Sequence, residues 1–213
     1  MTHRALFAPV LMAALAVSIS AATLMAQAAP AGWKLRIDQS TQASDPDGSG
    51  RISFTAADGG YRAVTPQAAI FWQPMASATG AYTLKGTFAL NEPSNHTNYY
   101  GLVFGGRNLD GAAQSYTYFT VAQDGTWLIK QRQGDVASNV APRGTNPAVR
   151  RPDGSGKSTN ALEVRVGASN VDFVVNGTTV HSMPKAAVAT DGLYGMRVNH
   201  FLNVTVTGLA VSR

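Results

Sequence analysis

Along most of this chain the apolar side chains recur every second residue. Residues 82–90 (YTLKGTFAL), 102–104 (LVF), 115–122 (SYTYFTVA), 126–132 (TWLIKQR), 161–166 (ALEVRV) and 171–175 (VDFVV) all alternate. Successive side chains of a strand point to opposite faces, so this period buries one face and leaves the other polar. β-Branched and aromatic residues fill the runs, as strands prefer. Turn residues punctuate them. Asn176-Gly177 and Asp124-Gly125 each read as a two-residue type I′ hairpin, in which both central residues take positive φ. Asp58-Gly59 and Asp191-Gly192 mark further turns. Helical periodicity is absent apart from one turn near residues 184–189. Residues 134–160, rich in Pro, Gly, Asn and Arg, read as one long irregular loop. Many short strands at regular spacing predict an all-β antiparallel sandwich.

The first 28 residues break the pattern and read as a cleaved signal peptide. His3 and Arg4 precede an apolar run from Ala5 to about Ala26, and Ala26-Gln27-Ala28 offers small side chains for cleavage. The competing reading, a membrane anchor, lacks a charged stop-transfer cluster after the run. One domain over residues 29–213 is then expected, periplasmic or secreted, with no membrane span after cleavage.

Charge narrows the partners. The chain carries a formal +5, and Arg4 is the only Lys or Arg of the leader, so the remainder carries +4. Charged residues are 14% of the chain and basic runs stop at Arg150-Arg151, which excludes the dense positive face of a nucleic-acid binder. There is no Cys, so the core must hold the fold without disulfides, and thiol chemistry is excluded.

PDGSG occurs twice, at residues 46–50 and 152–156. The second copy continues as GSGKST, but Arg151 stands where a phosphate loop needs its first glycine, and a strand follows where a helix should. The first copy places Asp45, Asp47 and Ser49 at calcium-loop spacing, but Ala56 occupies the position of the bidentate Glu. Both copies read as connectors, and a calcium shell at the first would need distant residues. No cofactor and no metal set is expected.

Catalytic signals are sparse. Glu92 and Glu163 are the only Glu residues, and Glu163 alternates with core positions beside Arg165, as a solvated pair would. His96, His181 and His200 show no metal-ligand spacing, and no G-x-S-x-G elbow is present. Asn95, Asn176 and Asn203 open N-x-T sequons, of which Asn176 reads as turn chemistry. The aromatic and polar set is richer. Tyr116 and Tyr118 share the strand face opposite Phe119 and Val121, while Tyr99 and Arg107 lie opposite Leu102 and Phe104. Two uses fit these rings: stacking under sugar C–H surfaces, or packing with their O–H satisfied at a sheet edge.

The block LEVRVGASNVDFVVNG (162–177), the strand YYGLVFGG (99–106) and the late DGLYGMRVN (191–199) together resemble the jelly-roll sandwich of concanavalin A-like lectins and glucanases. Laminin-G-like and keto-disaccharide-hydrolase-like domains belong to the same broad group. The resemblance covers about residues 69–213 and implies glycan contact on a concave sheet face or its rim. It carries over no catalysis, because the E-x-D-x-x-E strand of the glucanases is missing. The expectation is an exported, non-catalytic carbohydrate binder using Tyr99, Tyr116, Tyr118, Arg107, Asn98, His96, Asn199 and His200. Two alternatives stand beside it. One is a glycoside hydrolase or lyase drawing on Glu92, His96, Asp110 or His200. The other is a cell-envelope module that docks protein.

Overall fold

The computed structural model describes residues 29–40, 44–57 and 59–213. The leader and Asp58 lie outside the described residues. Two antiparallel sheets of seven strands face each other as a jelly-roll sandwich. The front sheet runs, in spatial order, β1 (Lys34–Ile37), β4 (Ala69–Ala78), β13 (Gly192–Val198), β6 (Tyr99–Arg107), β7 (Ser115–Ala122), β8 (Thr126–Gln133) and β9 (Val136–Thr145). The back sheet runs β12 (Thr178–Pro184), β11 (Asn170–Val175), β10 (Ser158–Val166), β5 (Tyr82–Glu92), β14 (Leu202–Ser212), β3 (Gly60–Thr65) and β2 (Ser53–Ala57). A single 3₁₀ turn, Lys185–Ala187, is the only helical element among the described residues. None of these has a helix long and apolar enough to cross a membrane.

The period of two becomes the interior. Phe71, Leu102, Phe104, Phe119, Ile129 and Met196 point inward from the front sheet. They meet Leu84, Phe88, Leu162, Val164, Phe173 and Val204 of the back sheet. Phe173 is the hinge of this contact, with ring centroids 5.2 Å from Phe119 and 6.2 Å from Phe104. Each such fully buried ring contributes roughly 1.5–3 kcal/mol of transfer free energy.

A second apolar layer covers the outer face of the front sheet. Ile70, Trp72, Val103, Leu109, Tyr116, Tyr118 and Leu128 form a buried cluster of their own there. The front sheet is therefore apolar on both faces over its middle strands. The loops that cover it bring polar residues over this layer and create the cleft described below.

Two sequence expectations change. Residues 134–160 are not one loop, because β9 pairs with β8 along the sheet edge. Most of its side chains are exposed, so no alternation marked it. Asp124-Gly125 is not a type I′ turn. Three residues separate β7 from β8, and of these only Gly125 has positive φ, at 84°. Asp124 instead accepts hydrogen bonds from the Thr126 N–H and hydroxyl through its Oδ1 (3.0 and 2.5 Å). Those bonds, with Arg143 alongside, pull its pKa below the usual carboxylate range despite the opposing effect of partial burial.

Candidate functional site

Asp38, at the end of β1, is the anchor beneath the site. Its side chain is fully buried. Arg197 of β13 approaches it at 2.6 Å through Nη1, and the Tyr116 hydroxyl of β7 donates to the same carboxylate oxygen. Arg36 and Arg132 stand at 3.7 Å from the other oxygen. Burial works against the Arg197 charge, but Tyr116, Tyr118 and Asp38 more than offset it, and its pKa is raised. A buried acid with several cationic neighbours is the paired arrangement that an interior charge requires.

This cluster floors a cleft of about 250 Å³ on the outer face of the front sheet. Tyr99, Tyr118, Lys130, Asn199 and Arg197 line it, with Asn98 and His200 toward one end and Asp135 toward the other. The Tyr118 ring is covered on one side by the Arg197 guanidinium, 4.9 Å from its centroid, and packs on Tyr116 at 5.7 Å. Its hydroxyl makes no hydrogen bond among the described residues, yet it is not sealed from solvent. Burial pushes the Tyr118 pKa up against the opposing pull of Arg197 and Arg132, so the group keeps its proton and has a donor to offer a ligand. Tyr99 is half-buried, with its hydroxyl 3.0 Å from Thr126 Oγ1 and Arg143 over its ring at 5.8 Å. Asn199 accepts from Arg197 Nε at 3.1 Å through its carbonyl oxygen, which leaves its N–H₂ toward the cleft.

The structure sorts the eight residues singled out from the sequence. Tyr99, Tyr118, Asn98, Asn199 and His200 line one cleft. Tyr116 lies on the expected sheet face but is 1% exposed, so it offers no ring to a ligand. Its place is beneath the cleft, holding Asp38. Arg107, at the far end of β6, is exposed and does not line the cleft. His96 and Asn98 both stand in the β5–β6 loop: His96 is not part of the cleft lining, and Asn98 is buried and donates to Ser94 Oγ at 3.1 Å. Lys130, Arg132 and Arg197 add positive charge to the cleft lining, and the sequence alone shows no more of them than their place in alternating strands. Asp38 carried no signal beyond closing a short strand.

The first PDGSG is more than a connector. Asp47 accepts from the backbone N–H of Ser40 (2.7 Å) and Ala68 (3.2 Å), and its Oδ1 lies 2.9 Å from His200 Nδ1. Asp45 reaches His96 and His200 together. The second copy is a closed turn, in which Asp153 accepts from the N–H groups of Ser155 and Lys157. His181 packs against Trp127 and Phe173, at centroid distances of 5.3 and 6.1 Å, as a structural ring would.

No protein-family model matches the chain, and no curated protein matches it in sequence. Solved structures do match in shape. A carbohydrate binding module, CBM66 from Bacillus subtilis, superposes with a TM-score of 0.61 at 11% identity, covering 85% of this chain and 96% of the module. A protein of unknown function with a galectin-like fold, also from Bacillus subtilis, gives 0.58 at 13% identity, covering 84% and 88%. A variant of family 7 alginate lyase in complex with substrate gives 0.50 at 15% identity, covering 85% and 92%. At these identities the likeness is one of fold, an antiparallel jelly-roll β-sandwich.

Proposed function

We propose that this chain is an exported carbohydrate-binding protein whose ligand lies in the cleft over the Asp38–Arg197 cluster. One observation carries the reading. The cleft combines a half-buried ring, Tyr99, with free donors on a rigid floor: the Tyr118 hydroxyl, the Lys130 ammonium and the Asn199 amide. Sugars present both C–H faces and hydroxyls, and a site of few fixed polar groups beside an aromatic surface suits both. The floor cannot shift without unpairing Asp38, so the donors are pre-organised and little ordering cost falls on binding. The folds of a carbohydrate binding module and of a galectin-like protein support the reading by analogy.

Binding is favoured over cleavage by the state of the candidate acids and bases. A tyrosine held protonated is a poor proton abstractor. His200 is buried, with each ring nitrogen beside a carboxylate. Glu92 and Asp110 lie outside the cleft. The export component of the proposal rests on the leader alone.

The test is retention of the purified protein on immobilised polysaccharides and an oligosaccharide panel, with the supernatant assayed for released or unsaturated sugar. Retention without release is expected, and Tyr99→Ala and Lys130→Ala should each weaken binding roughly tenfold, the effect of about one lost hydrogen bond or ring contact. Release of product would replace this reading with the lyase or hydrolase one. Retention unchanged in both variants would move the site out of this cleft.

A further inference from the structure

Beside the cleft, three segments distant in sequence converge on one point. The loop before β2 brings Asp45, the β5–β6 loop brings His96, and the β13–β14 turn brings His200. Nε2 of His96 lies 3.2 Å from Nε2 of His200. Asp45 Oδ1 lies 2.9 Å from the first nitrogen and 3.1 Å from the second. The other nitrogen of each ring faces an oxygen: His200 Nδ1 is 2.9 Å from Asp47 Oδ1, and His96 Nδ1 is 2.7 Å from Asn95 Oδ1. With each ring proton on Nδ1, toward those acceptors, both Nε2 atoms are free to act as ligands. Each neutral Nε2 then carries a lone pair, and the two lone pairs face each other and a carboxylate oxygen.

Three electron-rich atoms this close repel one another unless positive charge lies among them. A proton on one Nε2 turns that ring into a donor but leaves the remaining pair opposed. A divalent cation is shared by all three. The observed edges of 2.9–3.2 Å are close to the roughly 3.3 Å between ligand atoms in a tetrahedron with arms of about 2.0–2.1 Å. Asp47 behind His200 reproduces the carboxylate–histidine pairing that orients metal-bound imidazoles, and the Asn95 amide oxygen takes the same place behind His96. Asn98 Nδ2, 3.1 Å from His96 Nε2, makes a contact that a cation would displace. Phe201 completes the frame. It holds a positive φ of 56°, uncommon for a bulky side chain, and sets its ring 5.0 Å from His200 and 5.9 Å from His96.

We propose that Asp45, His96 and His200 form a binding site for a first-row divalent transition cation of the zinc type, with Asp47 and Asn95 as positioning residues. Two imidazoles and one carboxylate suit such an ion, whereas calcium requires six or more oxygens. Asp45 and His200 also line the cleft, so the remaining coordination position opens at the cleft end. The cation ties three loops of a chain that has no Cys. The site stands whether or not the cleft binds sugar.

The test uses tag-free protein stripped with chelator and titrated with Zn²⁺, followed by calorimetry and thermal unfolding. One equivalent should bind with micromolar or tighter affinity and raise Tm, while Ca²⁺ and Mg²⁺ do neither. Co²⁺ should give the visible absorption of a tetrahedral N/O site. His96→Gln and His200→Gln should each lose at least a hundredfold in affinity. Asp47→Asn should lose about ten- to a hundredfold and shift the Co²⁺ spectrum, an effect that a purely structural role would not produce. His96 is partly exposed, so its variant keeps the fold, as circular dichroism without metal would verify. Absence of stoichiometric binding would overturn the proposal. So would affinity unchanged in the His96→Gln, His200→Gln double variant, or a metal-free Tm that rises on acidification with no response to Zn²⁺, which would assign the charge to a shared proton.

Discussion

Asp38 shows what a single side chain does here. Its carboxylate has no exposed surface, and its partners Tyr116 and Arg197 lie 78 and 159 residues away. Asp38→Ala would leave Arg197 and Tyr116 buried without their acceptor. Breaking one partner of a buried pair costs about 3–5 kcal/mol. The urea midpoint should fall accordingly, with the m-value unchanged if the fold is kept. A loss under about 1 kcal/mol would mean that Arg36 and Arg132 rearrange freely and that the cleft floor is not rigid. The long separations also explain why Asp38 could not be read from the sequence. Ionic partners leave no periodic trace, and neither do the pairs that aim His96 and His200 at one point. Strand parity did place Tyr99 and Tyr118 on the sheet face that carries the cleft. It could not say that Tyr116 would be sealed, because its partners there, Asp38 and Arg197, are distant in sequence.

At the scale of elements, the Asn176-Gly177 hairpin joins local and long-range physics. Both residues take positive φ, at 49° and 84°, as a type I′ turn requires. The Asn176 side chain also accepts from the Ala161 N–H (2.9 Å) and donates to Ala148 O and Asn160 Oδ1 (both 2.8 Å). The turn therefore clamps β10 to the segment that follows β9. Asn176→Gly keeps the turn geometry and loses the clamp, at about 1–3 kcal/mol. Asn176→Ala loses both, at roughly 1 kcal/mol more. Equal losses in chemical denaturation would show that the backbone conformation contributes nothing. This turn was legible because its signal is local. β4 was not, since Ile70, Phe71 and Trp72 are buried on both faces of the front sheet and show no alternation. β9 was hidden for the opposite reason. It is a mostly exposed edge strand, and Pro142 and Arg143 together sit opposite Leu128 as a bulge, where a missing N–H does no harm.

The whole molecule is held by two apolar layers, one between the sheets and one on the outer face of the front sheet, and tyrosines are built into both. Tyr82 and Tyr100 belong to the inner layer, Tyr116 and Tyr118 to the outer. Burial raises the pKa of all four, in Tyr116 and Tyr118 against the pull of Arg197. In the unfolded chain each releases its proton near pH 10, while in the folded chain each retains it to higher pH. The unfolded state then binds fewer protons than the native state, and stability falls as pH rises. Below pH 10 the contribution is fully present. Above it, each retained proton costs about 1.4 kcal/mol per pH unit. Four act together, so the loss is steep: the urea midpoint should change little between pH 8 and 9.5 and drop sharply by pH 11. Tyrosinate absorbance in the native protein should show these four silent until the backbone signal collapses. Seven tyrosines titrating together near pH 10 with the far-ultraviolet spectrum intact would mean that water reaches both layers. The outer layer could not then be the rigid floor on which the cleft depends.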